Sequence, residues 1–264
     1  MFLGAFLLAL LGAGLFIGVH FTRKRLATLI IAKSKKAAEL LESVSAVGKE
    51  IGGGGYRELV EIVGDVTCPS PLTSPLANQA CVAYSMQVVR EYEEDVEDRD
   101  DKGNVRRRTQ RSSETIHSDS RRCDFGVRDT TGELPVLAND ADFDGMVETV
   151  SRFDNGAGNG STISLGSFNL TVNLGGGGRR RTLGYRYTES IFPIGRQVTI
   201  IGEASDADGR LTLRKPKDLS FIVSTRTRQE LRGSAETTAK ILGVCGTLAF
   251  VAAVVVGILG IFKH

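Results

Sequence analysis

The chain has 264 residues and a formal net charge of +2, from 33 Lys and Arg against 31 Asp and Glu. So even a balance gives no global field for nucleic acid or an acidic substrate, and such binding would have to come from local clusters. The four cysteines, Cys68, Cys81, Cys123 and Cys245, form no CxxC pair, which excludes a zinc knuckle and a thioredoxin-type redox motif.

Residues 1–19 carry no charge and read as a transmembrane helix. A secretory signal has a basic residue before its apolar core, whereas Arg23, Lys24, Arg25, Lys33, Lys35 and Lys36 all follow this one. The pattern is that of an uncleaved anchor with its amino end translocated. Residues 20–51 read as a stalk helix continuing from the membrane, with Leu26, Leu29, Ile30, Ala37, Leu40, Leu41, Val44 and Val47 close to a helical stripe. The alternative for the same stretch is an amphipathic surface helix with Lys33, Lys35 and Lys36 on anionic headgroups. Gly52 to Gly55 break the helix and predict a hinge. A phosphate cradle would need a following Lys-Ser/Thr and a helix, and neither follows.

From Tyr56 the apolar period becomes two. Tyr56 to Thr67 and Val82 to Tyr92 read as strands. Between them, Pro69, Pro71 and Pro75 stiffen a loop flanked by Cys68 and Cys81. No His lies near these cysteines to serve as a base, so their reading is structural: they meet as a disulfide in an oxidising compartment or stay as buried thiols in a reducing one. Glu91 to Asp101 is dense in carboxylates, and Arg106, Arg107, Arg108 and Arg111 follow it. The stretch reads as a long hairpin turned at Lys102-Gly103-Asn104, with opposite charges paired across the ladder rather than forming two binding patches.

Cys123 to Leu137 reads as strand, turn at Asp129 to Gly132, and strand. Asp140, Asp142 and Asp144 match the first half of a calcium loop, but the twelfth position is Ser151 and no helices flank it. They form a weak calcium candidate beside the plainer reading, a turn before a strand over Gly145 to Phe153. Asn155 to Gly160 predicts another turn, and Leu165 to Leu174 and Thr182 to Glu189 predict strands around the basic loop Gly175 to Arg181. That loop looks like a nucleic-acid finger, yet only Tyr185 and Tyr187 are near to stack on bases, which favours a mobile loop against phosphate headgroups. Glu189 to Glu203, a turn at Asp206 to Gly209, Leu211 to Lys215 and Phe221 to Thr225 complete a series of short strands, the pattern of a small barrel or sandwich. Arg226 to Lys240 reads as a helix leading into Ile241 to Phe262, whose 22 uncharged residues reach about 33 Å as a helix, enough for a second span.

Tyr56 to Tyr92 with its Cys-Pro-Ser-Pro-Leu-Thr-Ser-Pro-Leu loop, the Cys123 to Gly132 turn, Glu189 to Glu203 and Phe221 to Thr225 together resemble the GIDE domain. This is the domain beside the membrane in the mitochondrial ubiquitin ligase activator family and its chloroplast and prokaryotic relatives. The order of span, domain and span is similar too. In eukaryotic members the resemblance implies an E3 ubiquitin ligase whose GIDE domain binds partners and whose RING finger follows the second span. A RING needs two full sets of Cys and His zinc ligands, and after Thr225 this sequence offers Cys245 and His264 alone. No ligase residues carry over, and the chain resembles the RING-less, prokaryote-type members.

The expected fold is therefore an α+β membrane protein: a transmembrane helix (1–19), a stalk helix (20–51), a β-rich, barrel- or sandwich-like GIDE domain (56–230) and a second transmembrane helix (241–262). No catalytic residue, cofactor or metal ligand beyond the calcium candidate is expected. The expected partners are membrane lipids, an unidentified protein and a second copy of the chain through the Gly243/Gly246 and Gly257/Gly260 pairs, with no nucleic acid. Basic residues flank the domain side of both spans, which places the domain in the cytoplasm. The mitochondrial relatives place theirs in the intermembrane space. The function this supports is a non-catalytic interaction or scaffold protein, with a ubiquitin ligase or its accessory as the alternative.

Overall fold

The structure, a computed structural model, describes residues 2–99, 105–155, 162–165, 168–171 and 180–262. The chain opens with α1 (Phe2–Ile31), β1 (Lys33–Ser34), α2 (Ala37–Ile51), β2 (Arg57–Thr67), β3 (Leu72–Thr73), β4 (Ala80–Arg99) and β5 (Val105–Arg122). Shorter strands follow: β6 (Phe125–Arg128), β7 (Glu133–Val136), β8 (Asp142–Asp144), β9 (Val147–Asp154), β10 (Thr162–Leu165) and β11 (Phe168–Thr171). It closes with β12 (Arg180–Pro193), β13 (Gln197–Ser205), β14 (Thr212–Arg214), β15 (Ile222–Ser224) and α3 (Arg228–Phe262). The segment 56–230, read as one domain, contributes to two compact units. One comprises Met1–Asp65, Val127–Asp144 and Gln197–His264; the other comprises Val66–Gly126 and Gly145–Arg196.

The first unit is built on a small barrel. Its strands run β2-β6-β7-β14-β13, and β13 returns to pair antiparallel with β2 from Gln197 opposite Asp65 to Ser205 opposite Arg57. Closure removes the free sheet edges that β2 and β13 would otherwise present. Val60, Ile62, Val136, Val198, Ile200 and Leu213 are all buried. Burial of Ile201 as well gives β13 two covered faces, because neighbouring strand residues point opposite ways. Ile201 packs with Ile222, with Leu29 of α1 and Ala32 just beyond it, and with Leu231 and Ala235 of α3. The domain-side ends of both long helices are thus part of the barrel unit's core. Gly64 is required where β2 nears Arg128, since a Cβ there would stand 2.5 Å from the Arg128 carbonyl oxygen.

Two helices, over Phe6–Ile31 and Arg228–Val256, are long and apolar enough to cross a membrane. Little of either apolar window is buried within the protein, unlike the core helix of a soluble fold: Phe6, Leu7, Phe16, Ile241, Val244 and Leu248 are exposed. The helices pack on each other, with Gly12 against Gly246 and Phe250, and Gly246 against Leu15 and Phe16. Thr227 and Glu230 start α3 with a capping box, the Glu230 carboxylate accepting the Thr227 N–H at 2.8 Å and Thr227 Oγ1 accepting the Glu230 N–H at 3.3 Å.

The continuous stalk helix expected over 20–51 is instead two helices. The chain leaves α1 at Ile31 and pairs with β2, Lys33 opposite Val60 and Ser34 opposite Glu61. The Lys35 N–H donates to the Glu61 carbonyl at 3.0 Å, and Lys35 Nζ reaches Glu58 at 2.7 Å. Strand pairing and an ion pair override a helical pattern that no Gly or Pro interrupts. The turn at Asp129 to Gly132 then caps α2, Asp129 Oδ2 accepting the Ala37 N–H at 2.8 Å and Thr131 Oγ1 the Ala38 N–H at 3.1 Å.

Glu58 also accepts the Tyr56 hydroxyl at 2.6 Å and Lys33 Nζ at 3.0 Å. Burial raises the Glu58 carboxyl pKa, but hydrogen bonds from Lys35, Tyr56 and Lys33 outweigh it and bring it down to about 2 from 4.5. A carboxyl depressed in the folded state stabilises fully above its unfolded value and loses that contribution as pH falls through the folded one. Unfolding followed from pH 5 to pH 2 should therefore show a progressive loss, about 3 kcal/mol at most, that Glu58→Gln largely removes. An acid limb equally steep in the variant would contradict this.

In the second unit β4 is central, flanked by β5 on one edge and β12 on the other, with β3 joining β4 and β9 joining β12. Leu76, Tyr84, Met86, Val88, Tyr185, Tyr187 and Ile191 form its core. The expected charge ladder is present. Glu93 lies opposite Arg111 and Glu97 opposite Arg107 on β5, while Glu94 meets Arg180 and Glu91 meets Arg186 on β12. Such pairs contribute about 0.2 to 1 kcal/mol each. The hairpin turn at Lys102 to Asn104 lies outside the described residues, as do most of Asn155 to Gly160 and most of the loop Gly175 to Arg181. The strand expected over Leu165 to Leu174 is broken at its start, where Leu165 ends β10 and pairs antiparallel with Phe168 of β11; 166–167 and 172–174 lie outside the described residues.

Candidate functional site

The calcium candidate has its charges already taken. Asp142 and Asp144 lie two apart on β8, hence on one side of an extended strand, and β8 pairs parallel with β15. Arg25 of α1 reaches Asp142 at 2.7 Å and Asp144 at 3.7 Å, and Arg226 reaches Asp144 at 2.5 Å. Asp140, in the left-handed region at φ 61, faces Lys215 at 3.5 Å. The three carboxylates are therefore a brace of ion pairs between β8, α1 and the segments that follow β14 and β15.

The cysteines also find different partners from those expected. Cys68 Sγ lies 3.9 Å from Cys123 Sγ, and all four thiols are free, so the near neighbour of Cys68 is Cys123 rather than Cys81. Cys81 is fully buried opposite Leu72 of β3. Burial, with a smaller effect from neighbouring Cys123, pushes the Cys81 thiol up to about 11; burial and its bond with Cys68 push Cys123 to about 11 as well. Both are protonated at neutral pH, the opposite of a nucleophilic cysteine. Iodoacetamide at pH 7.5 should leave Cys81 and Cys123 unmodified in the native chain and label both after denaturation. Rapid native labelling of either, read by peptide mass, would contradict their assignment.

The stiff loop around Pro69, Pro71 and Pro75 is held by a residue that its own sequence does not reveal. Glu189 is fully buried, and its carboxylate accepts the Leu76 N–H at 2.6 Å, the Ala77 N–H at 3.0 Å and the Thr149 hydroxyl at 3.0 Å. The signal lay in register. Tyr185, Tyr187, Glu189 and Ile191 alternate onto the inward face of β12, and a carboxylate in that row must find donors. Asp206 acts similarly in the barrel unit, accepting the Gly54 and Tyr56 N–H groups at 2.9 and 2.8 Å. The glycine run expected to be a free hinge is thereby tied to the barrel. Tyr185 and Tyr187 are buried, so they offer no stacking surface for bases.

The family model GIDE, described as an E3 ubiquitin ligase, matches residues 93–257, from the end of β4 into α3. The chain belongs to the GIDE family. No curated protein and no solved structure gives a significant match. The GIDE match omits β2, although the barrel closes only through it.

The basic residues beside the apolar helices of this GIDE chain divide into two sets. Arg25 and Arg226 are held by β8, and Arg232 pairs with Glu236 at 2.8 Å. Arg228 donates to the Leu29 and Ile30 carbonyls ending α1, at 2.6 and 3.1 Å, and to buried Glu61 at 3.1 Å. Arg23 and Lys240 form no ion pair or hydrogen bond among the described residues and stand together at the inner end of the apolar segments. What this region supplies is a fixed junction between two apolar helices and a barrel, with Arg23 and Lys240 at its rim.

Proposed function

We propose that this GIDE chain is a two-span membrane protein that holds its β-rich domain against the bilayer as a docking platform for a protein or lipid partner, and that it performs no chemistry itself. The observation that carries the reading is the shared core of Leu29, Ala32, Leu231 and Ala235 with Ile201 and Ile222, which joins both helices to the barrel unit. A barrel unit fixed in this way is held at a set height over the membrane that the helices would cross. Arg23, Lys24 and Lys240 flank the domain side of the apolar segments and favour a cytoplasmic domain. Crosslinking in native membranes followed by purification should recover the same protein or lipid saturably through residues of the domain. Recovery of neither would overturn the reading.

The description of the GIDE family favours a second reading, a ubiquitin ligase or an accessory to one. The 264 residues hold four cysteines and three histidines, too few for the two four-ligand zinc sites of a RING. An assay of autoubiquitination by the purified chain, with metal analysis, separates the readings. Neither transfer nor stoichiometric zinc is expected, and transfer by the chain alone would decide for the ligase.

A further inference from the structure

A shallow groove of about 510 Å³ runs along one face of α3, lined by Lys240, Gly243, Val244, Thr247 and Leu248, with Arg23 as its lining residue from α1. Its chemistry changes along its length. Two cations stand at the domain end, and the wall beyond them follows one face of α3 at spacings of three and four. Val244 and Leu248 are well over half exposed there, at 60% and 64%. The Thr247 hydroxyl is spent on the Gly243 carbonyl at 2.8 Å, so its methyl group is left to the groove. A Cβ at Gly243 would meet nothing within 4 Å, which leaves open room where the groove begins. The nearby acid Glu236 is hydrogen-bonded by Arg232 at 2.8 Å, and Lys240 acts on it only through a weaker Coulombic attraction. From Lys240 to Leu248 the helix rises about 12 Å, enough to lie along the upper half of an acyl chain.

We infer that this groove binds one anionic phospholipid, its phosphate between Arg23 and Lys240 and its acyl chain along Gly243, Val244 and Leu248. The inference rests on reading α1 and α3 as membrane spans. Basic pockets between membrane helices are suited to anionic headgroups, and an apolar wall continuing from the cations distinguishes a lipid from a free anion. Gly246 turns toward Leu15 and Phe16 of the same chain, so helix packing uses that glycine and leaves Gly243 for the lipid.

The test uses the full chain in detergent, offered phosphatidylglycerol or phosphatidylcholine at equal concentration and weighed by native mass spectrometry. One retained phosphatidylglycerol per chain is expected, favoured about 30-fold for two cations at the headgroup. The double variant Arg23→Gln with Lys240→Gln should abolish the preference, and Gly243→Phe, which fills the groove, should weaken retention of both lipids. Equal retention of the two lipids would overturn the inference, as would an unchanged preference in the double variant. So would displacement by inorganic phosphate, which marks a free-anion site, or a second copy of the chain occupying the groove. Carbonate extraction of membranes expressing the chain keeps the two levels apart. A chain that resists extraction but shows no lipid preference sinks the groove alone, and one that carbonate releases sinks the span reading beneath it.

Discussion

Glu189→Ala is expected to cost about 3 to 5 kcal/mol, the largest single loss outside the hydrophobic cores. The change removes the acceptor for two backbone N–H groups and a hydroxyl at a site closed to water, and each donor left without a partner costs about 1 to 3 kcal/mol. It also opens a cavity between Leu76 and the tyrosines of β12. Glu189→Gln keeps the volume and one carbonyl acceptor but turns an amide N–H₂ toward N–H donors, so it should fall between wild type and Ala. In thermal unfolding of the full chain in detergent, the Ala variant should melt about 10 °C lower, and protease should cut first within the Cys68 to Cys81 loop. A variant within 1 °C of wild type with an equally resistant loop would show that Glu189 does not hold the loop.

Arg228→Met should cost about 2 to 4 kcal/mol, for a reason that lies where the apolar helices join the barrel. Arg228 satisfies two carbonyls at the end of α1, which otherwise lack partners, and neutralises Glu61, whose side chain is only 10% exposed. Methionine preserves much of the side chain's length, so the loss reports the charge and its hydrogen bonds. Glu61 left alone is the larger part of the cost. The double variant Arg228→Met with Glu61→Gln should therefore be more stable than the single one, a coupling that denaturant unfolding of all four chains would measure. Equal stabilities for the single and double variants would mean that Glu61 and Arg228 are not energetically joined.

Local pattern was enough for most strands and turns. The alternation over Tyr56 to Thr67, the turns at Asp129 to Gly132 and Asp206 to Gly209, and the β-rich domain between two apolar helices follow directly from period and turn chemistry. Contacts between distant segments were not legible. The break between α1 and α2 falls in Ala32-Lys33-Ser34-Lys35-Lys36, a stretch with no helix breaker, because its cause is β2 and Glu58 more than twenty residues ahead. Cys123 stands beside Cys68 only once β4 and β5 have folded back on each other, so pairing the two cysteines nearest in sequence named the wrong neighbour. The acidic run at Asp140 to Asp144 looked like a cation site because its counter-ions, Arg25 and Arg226, lie far off in sequence. That same sharing bears on charge counting beside the two apolar helices, since Arg25, Arg226, Arg228 and Arg232 are engaged by protein carboxylates while Arg23 and Lys240 form no ion pair or hydrogen bond among the described residues.

In the proposed function the chain crosses the membrane twice and keeps its domain beside the bilayer on the cytoplasmic side. Protease protection in sealed, inside-out membrane vesicles tests it most directly. The chain should resist carbonate extraction and be digested from outside such vesicles down to two short protected fragments, one from α1 and one from α3. A domain that stays intact until detergent is added, or a chain that carbonate releases whole, would contradict it.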